Sequence, residues 1–146
     1  MVLNDETSIE PILEMVLSPP IKAGIHRTQL ADHGIRLQPD VVYEWFISVV
    51  VGTDNPSQSI VAGGAISYVE PDHTWAQTVN RALKDASDPA IAWRLYAESG
   101  FWYDALADVS QRIRQAPQVT AWLKQRAILL KEVSLSEIPV DAKLHP

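Results

Sequence analysis

The run "VVYEWFISVVV" at 41–51 has a period of two, with its polar residues Glu44 and Ser48 both on one side. In an extended chain Tyr43, Trp45, Ile47, Val49 and Val51 point to one side, and Val42, Glu44, Phe46, Ser48 and Val50 to the other. The first face is wholly apolar and the second mixed, so the pattern predicts a β-strand with Trp45 and Ile47 in the main core, under the helices described next. A second run, "SIVAGGAISYV" at 59–69, follows "GTDNPSQ", where Asp54, Asn55 and Pro56 supply turn chemistry. The two runs read as a long hairpin. Gly63 and Gly64 inside the second run mark a bulge or a close backbone approach. Earlier runs, "PILEMVL" at 11–17 and "GIHRTQL" at 24–30, predict two further strands, separated by Pro19, Pro20 and Gly24.

Past Pro71 the period lengthens. Trp75, Val79, Leu83 and Ala86 fall at helical spacing, with charged residues between them. Asp88 and Pro89 are an N-cap and first-position pair that starts a helix over 89–99. Gly100 breaks it, and a second helix over 101–116 carries Trp102, Leu106, Val109, Ile113 and Ala116 on one stripe before Pro117. The two are expected to form an antiparallel hairpin. A last helix, about 119–133, places Leu123, Ala127 and Leu130 on one face with Trp122 and Leu129 beside it, and the tail "IPVDAKLHP" reads as irregular. Strands first and helices second predict an α+β fold. Its antiparallel sheet, sandwich-like and whole or incomplete, precedes about four α-helices. The expected division is a β subdomain over 1–70 and a helical one over 71–146, integrated into one domain, which suits a chain of 146 residues.

The spacing of Gly100, Trp102, Ala105 and Pro117 resembles a single tetratricopeptide unit, although stacked architectures need at least about three such units. A broader likeness spans residues 10–135. The stretches "EPILEMVLSPPIKAGIHRTQLADHGIRLQPDVVYEWFISVVV", "PSQSIVAGGAISYVEP" and "LYAESGFWYDALADVSQRIRQAP" occur in the order of three motifs of the bacterial domain-of-unknown-function family 928, which the chain resembles. The resemblance implies strands followed by helices, and carries no activity or catalytic residue. Family members usually begin with a signal peptide and an extra N-terminal β segment, and tend to have Gly near Ser134.

Charge and chemistry narrow the picture by exclusion. The net charge is −6 with scattered basic residues, which argues against a nucleic-acid partner. The run at 41–51 is too short to span a membrane and contains Glu44. Asp5, Glu6 and Glu10 stand where a secretion signal would be positive, so the chain as written is expected to stay in the cytoplasm. The family resemblance implies an extracytoplasmic place if this is a truncated member. There is no cysteine, and His26, His33, His73 and His145 lack the paired spacing of a zinc site, so no metal or cofactor is expected. Asp104, Asp108 and Arg112 at four-residue intervals form a ladder of charge pairs rather than a catalytic dyad. "TDNPSQS" lacks the glycine and final glutamate of a calcium loop, "AGGA" is not followed by Lys-Ser or Lys-Thr, and no serine sits in a nucleophile motif. No enzyme activity is expected.

The aromatics remain. Successive helical side chains turn by about 100°, so Phe101, Trp102 and Tyr103 cannot all face one core. Trp102 belongs to the apolar stripe, Phe101 is expected to pack back on the preceding helix through Ala105, and Tyr103 reaches solvent over Ala107, Ser110 and Arg114. Tyr103, Phe101 and Arg114 are therefore the candidate contacts for a protein partner. The leading reading is a non-enzymatic protein-interaction or structural module. The alternative is a small-ligand or sensor subunit with a polar cleft between sheet and helices. The segment 9–17 is apolar on both faces, and residues 1–9 look too short and acidic to pair with it. That predicts either a sheet edge near Met15 that mediates self-association or a strand covered by the helical half.

Overall fold

The computed structural model describes residues 1–5, 8–17, 19–50, 59–84, 91–135, 137–139, 141 and 143–145. The chain resolves into two compact units, one of residues 1–21 and 28–70, the other of 22–27 and 71–146. The expected turn at 54–56, the calcium-loop comparison at 53–59 and the Asp88–Pro89 helix start fall outside the described residues, Ser59 excepted.

The first unit is a four-stranded antiparallel sheet. Its strands are β1 (Val2–Asp5), β2 (Leu13–Glu14), β4 (Val42–Val50) and β5 (Ser59–Ser67), in the order β2-β1-β4-β5. β3 (Ile25–His26) lies elsewhere. The β4–β5 ladder runs unbroken from Val42↔Ser67 to Val50↔Ser59, so the two glycines of β5 do not form a bulge. They make room for aromatic rings instead. A Cβ on Gly63 would lie 2.7 Å from Phe46 Cδ1 and 2.8 Å from the Trp45 carbonyl oxygen, and one on Gly64 would lie 3.0 Å from Trp45 Cζ2.

Several sequence expectations change here. Residues 2–5 do pair, with β2 on one side and β4 on the other, because Leu3 alone carries the inward apolar position and is fully buried. The strand expected over 11–17 contracts to two residues, since the β1–β2 ladder ends at Val2↔Glu14. Leu13 turns into the core, while Val16 and Leu17 are exposed. The core of this unit is Leu3, Leu13 and Tyr43, with Trp45, Ile66, Ile12, Leu30 and Leu37 packed round it. All of these residues belong to the same unit as Trp45. The Tyr43 hydroxyl accepts the Gln38 backbone N–H at 3.0 Å. Ile47, expected in the core, is exposed: β1 reaches only Phe46, so nothing in this ladder continues alongside β4 past that point.

The second unit holds α1 (His73–Lys84), α2 (Ile91–Glu98), α3 (Trp102–Gln115) and α4 (Thr120–Glu132). β3 joins it through a two-stranded parallel ladder with β6 (Leu144–His145), so the tail expected to be irregular ends in a strand. Asp72 Oδ1 accepts the Trp75 N–H at 2.7 Å and caps α1. α2 ends as predicted at Gly100, whose φ of 83° is left-handed. There the N–H of Phe101 reaches the Tyr96 carbonyl at 2.9 Å and that of Gly100 reaches Ala97 at 3.1 Å, a Schellman closure. α2 and α3 pack together over Trp93, Ala105 and Val109, joined by Leu129 of α4. Alanine at 105, wholly buried, lets the helices approach closely.

α4 closes the same way with a less suitable residue. Leu135 N–H bonds to the Leu130 carbonyl at 2.8 Å and Ser134 N–H to Lys131 at 3.1 Å, which places Ser134 at φ 63°. A side chain in that conformation costs about 1–2 kcal/mol, partly offset by glycine's greater entropy loss. Ser134→Gly is therefore expected to stabilise the helical unit by about 0.5–1 kcal/mol, read as a raised urea midpoint. A lowered midpoint would show that the serine side chain contributes more than its backbone strain costs.

Candidate functional site

The start of α3 sends its three consecutive aromatics in three directions. Trp102 turns inward, and its Nε1–H donates to the Leu129 carbonyl at 3.1 Å, tying α3 to α4. Phe101, expected against the preceding helix, has its ring 4.6 Å from the Trp75 ring of α1 at 44°. Trp75 in turn meets Tyr96 at 5.8 Å and donates its Nε1–H to Ser99 Oγ at 2.7 Å. Tyr103 reaches solvent, 41% exposed, with its ring edge-on to Trp102 at 5.2 Å and 86°. Arg114 is exposed three turns further along the same helix, about 16 Å from Tyr103 at the helical rise per residue. The structure thus brings Phe101 to Trp75, keeps Tyr103 at the solvent edge, and sets Tyr103 and Arg114 at opposite ends of α3.

The carboxylates of α3 divide between two environments. Asp108 is held by Arg112, with Nε–Oδ2 at 2.7 Å and Nη2–Oδ1 at 3.3 Å. The Arg112 guanidinium also lies 5.3 Å from the Trp122 ring centre. This is the expected lower rung of the charge ladder. The neighbouring side chains desolvate the Asp104 carboxyl and hold it above the usual carboxylate range, against the pull of its own backbone N–H. Tyr96 is raised above 10, first by burial and then by the negative charges of Asp104 and Asp108.

One buried residue escaped the sequence reading. Arg126 is 1% exposed and burial lowers its pKa. It lies with Leu129 and Leu130 on the buried face of α4, whereas Leu123 and Ala127 are only half-buried. The spacing Trp122, Arg126, Leu129 and Leu130 is a helical stripe that becomes visible once a charged residue is admitted to it.

Two of the four histidines, His26 and His145, sit on paired strands. His26 Nε2 lies 2.8 Å from the Lys22 carbonyl, and His33 and His73 are exposed. His26 is in register with His145 across the β3–β6 ladder. Among the described residues no three His, Asp or Glu side chains group at metal-holding distance. A concavity of about 510 Å³ borders α1, where its described lining residues are Gln77, Asn80, Arg81 and Lys84. No helix among the described residues is long and apolar enough to cross a membrane.

A family model described as Domain of Unknown Function (DUF928) matches residues 1–142. No curated protein and no solved structure matches the chain.

Proposed function

The chain belongs to the DUF928 family, and from that premise we propose that it is a non-enzymatic protein-interaction or structural module. In this reading α2 and α3 act as one repeat-like helical hairpin, similar to a single tetratricopeptide unit, and Tyr103, Phe101 and Arg114 contact a protein partner. The observation that carries it is Tyr103: an aromatic ring braced by Trp102 yet 41% exposed. Such a ring presents a large contact area at little cost in side-chain entropy, which is why aromatics and arginine concentrate in binding hot spots. The carboxylate ladder gives no support to acid–base chemistry, because Asp108 is engaged by Arg112. Self-association belongs to the same reading. The sheet has two outer strands, and β2 beside Met15 is one of them.

The double variant Tyr103→Ala, Arg114→Ala tests it. In lysate of the native host the wild-type chain is expected to elute within a complex larger than its own mass, and the double variant to elute from it in part or wholly. An unchanged elution profile, with circular dichroism also unchanged, would refute the assignment of these residues.

A further inference from the structure

We propose that Trp75, Tyr96, Phe101 and Asp104 form a receptor for a basic side chain, an arginine of a protein partner. This rests on the reading of the chain as an interaction module and gives the chemistry of what it contacts.

Three helices of one compact unit supply the parts. Trp75 of α1 sets its ring 4.6 Å from that of Phe101, which immediately precedes α3, and 5.8 Å from that of Tyr96 near the end of α2. The Phe101 N–H bonds to the Tyr96 carbonyl at 2.9 Å and the Trp75 indole N–H to Ser99 at 2.7 Å, which hold the rings to the turn at Gly100. Each ring is half-buried, packed on its neighbours yet reached by solvent. Asp104 follows Phe101 by three residues on α3, and its negative charge is felt at the Tyr96 hydroxyl. Asp104 is exposed, although the side chains around it already remove part of its water. A place in the first turn favours a carboxylate through the helix dipole, but it does not account for the aromatic rings gathered beside it.

The occupant follows from charge and from a filled counterpart on the same helix. One turn further along α3, Asp108 holds Arg112 at 2.7 Å and 3.3 Å, and that guanidinium lies 5.3 Å from the Trp122 ring centre. Carboxylate, arginine and aromatic ring complete one another there. Asp104 repeats the carboxylate and the rings without the arginine. The described residues include every lysine and arginine of the chain, and among them none forms an ion pair with Asp104. Position 108, where a partner four residues on would stand, is itself an aspartate. Arg94 of α2 lies over Trp93 instead, at 5.9 Å. A guanidinium from outside supplies the missing member: it is flat enough to stack on an aromatic face and forked to meet a carboxylate. Because the Asp104 carboxyl has lost part of its water beforehand, covering it costs less than at an open surface. The net charge of −6 draws a basic partner at longer range.

Titration of the full chain with N-acetylarginine amide tests the proposal, followed by the Trp75 indole N–H resonance. A saturable shift is expected. N-acetylcitrulline amide, of nearly the same shape but uncharged, should bind about tenfold more weakly. Asp104→Asn keeps the size of the side chain and should weaken arginine binding by a similar factor. Asp32→Asn, which removes the same charge from the sheet unit, should leave it unchanged. Phe101→Leu should weaken it by a smaller factor. The citrulline comparison uses the wild-type chain, so it stands even if a variant fails to fold. No saturable shift, equal binding of citrulline, full affinity in Asp104→Asn or Phe101→Leu, or an equal loss in Asp32→Asn would each overturn the proposal. None of these results bears on Tyr103 or Arg114, so failure of the arginine site and failure of the interaction-module reading are separable.

Discussion

Leu3→Ala is expected to lower the unfolding free energy of the sheet unit by about 2–5 kcal/mol. A four-residue strand looks expendable, but β1 lies between β2 and β4, and Leu3 is fully buried beside Leu13 and Tyr43. Truncation leaves a cavity at the centre of a small core, and the two strands that flank β1 limit its collapse. The chain has two compact units, so a signal specific to the sheet is needed. Trp45 is the only tryptophan of residues 1–70, and its indole resonance followed through a urea titration reports on that unit. Val2→Ala, at a half-buried neighbour, should cost clearly less. Equal and small effects at both positions would show that β1 is not part of the core.

The helical counterpart is Leu129→Ala, also expected to cost about 2–5 kcal/mol. Leu129 is almost fully buried among Trp93, Ala105 and Val109, where three helices meet. Its backbone carbonyl would still accept the Trp102 indole N–H, so the loss measured is that of packing. Ile128→Ala, one residue earlier and half exposed, should stay within about 0.5 kcal/mol and serves as the control. The Trp102 indole resonance reads the transition. A Leu129→Ala effect no larger than that of Ile128→Ala would mean that α4 is not packed on α2 and α3.

The long elements were legible in the sequence because their periods repeat often enough to be read. β4 keeps its polar residues, Glu44 and Ser48, on one face, β5 is a nine-residue run without charge, and α3 keeps its stripe from Trp102 to Ile113. Gly100 marked the break between α2 and α3 because few other residues adopt its φ comfortably. Short elements gave no such signal. β1 has a single inward leucine, and the β3–β6 ladder joins two-residue strands distant in sequence. Alternation correctly assigned Tyr43 and Trp45 to the covered face, but it carries no information on how far a neighbouring strand extends, so Ile47 was misplaced. Arg126 was missed because charge outweighed spacing in reading α4.

For the candidate site, helical rotation separated Trp102 from Tyr103, and exposure of Tyr103 agrees with it. The contact of Phe101 with Trp75 is tertiary packing of α1 against the residue that precedes α3, which no local pattern encodes. Arg114 was misjudged for a different reason, one that helix geometry alone contains. Periodicity put it on the face of Tyr103, while the rise of the helix sets it about 16 Å away.

The claim that this is a protein-contact module is tested most directly by a photo-crosslinking amino acid at position 103, expressed in the native host. Irradiation is expected to give one discrete adduct with a protein, absent when the same group replaces exposed Gln77 on α1. No adduct at 103, or the same pattern from both positions, would contradict the account.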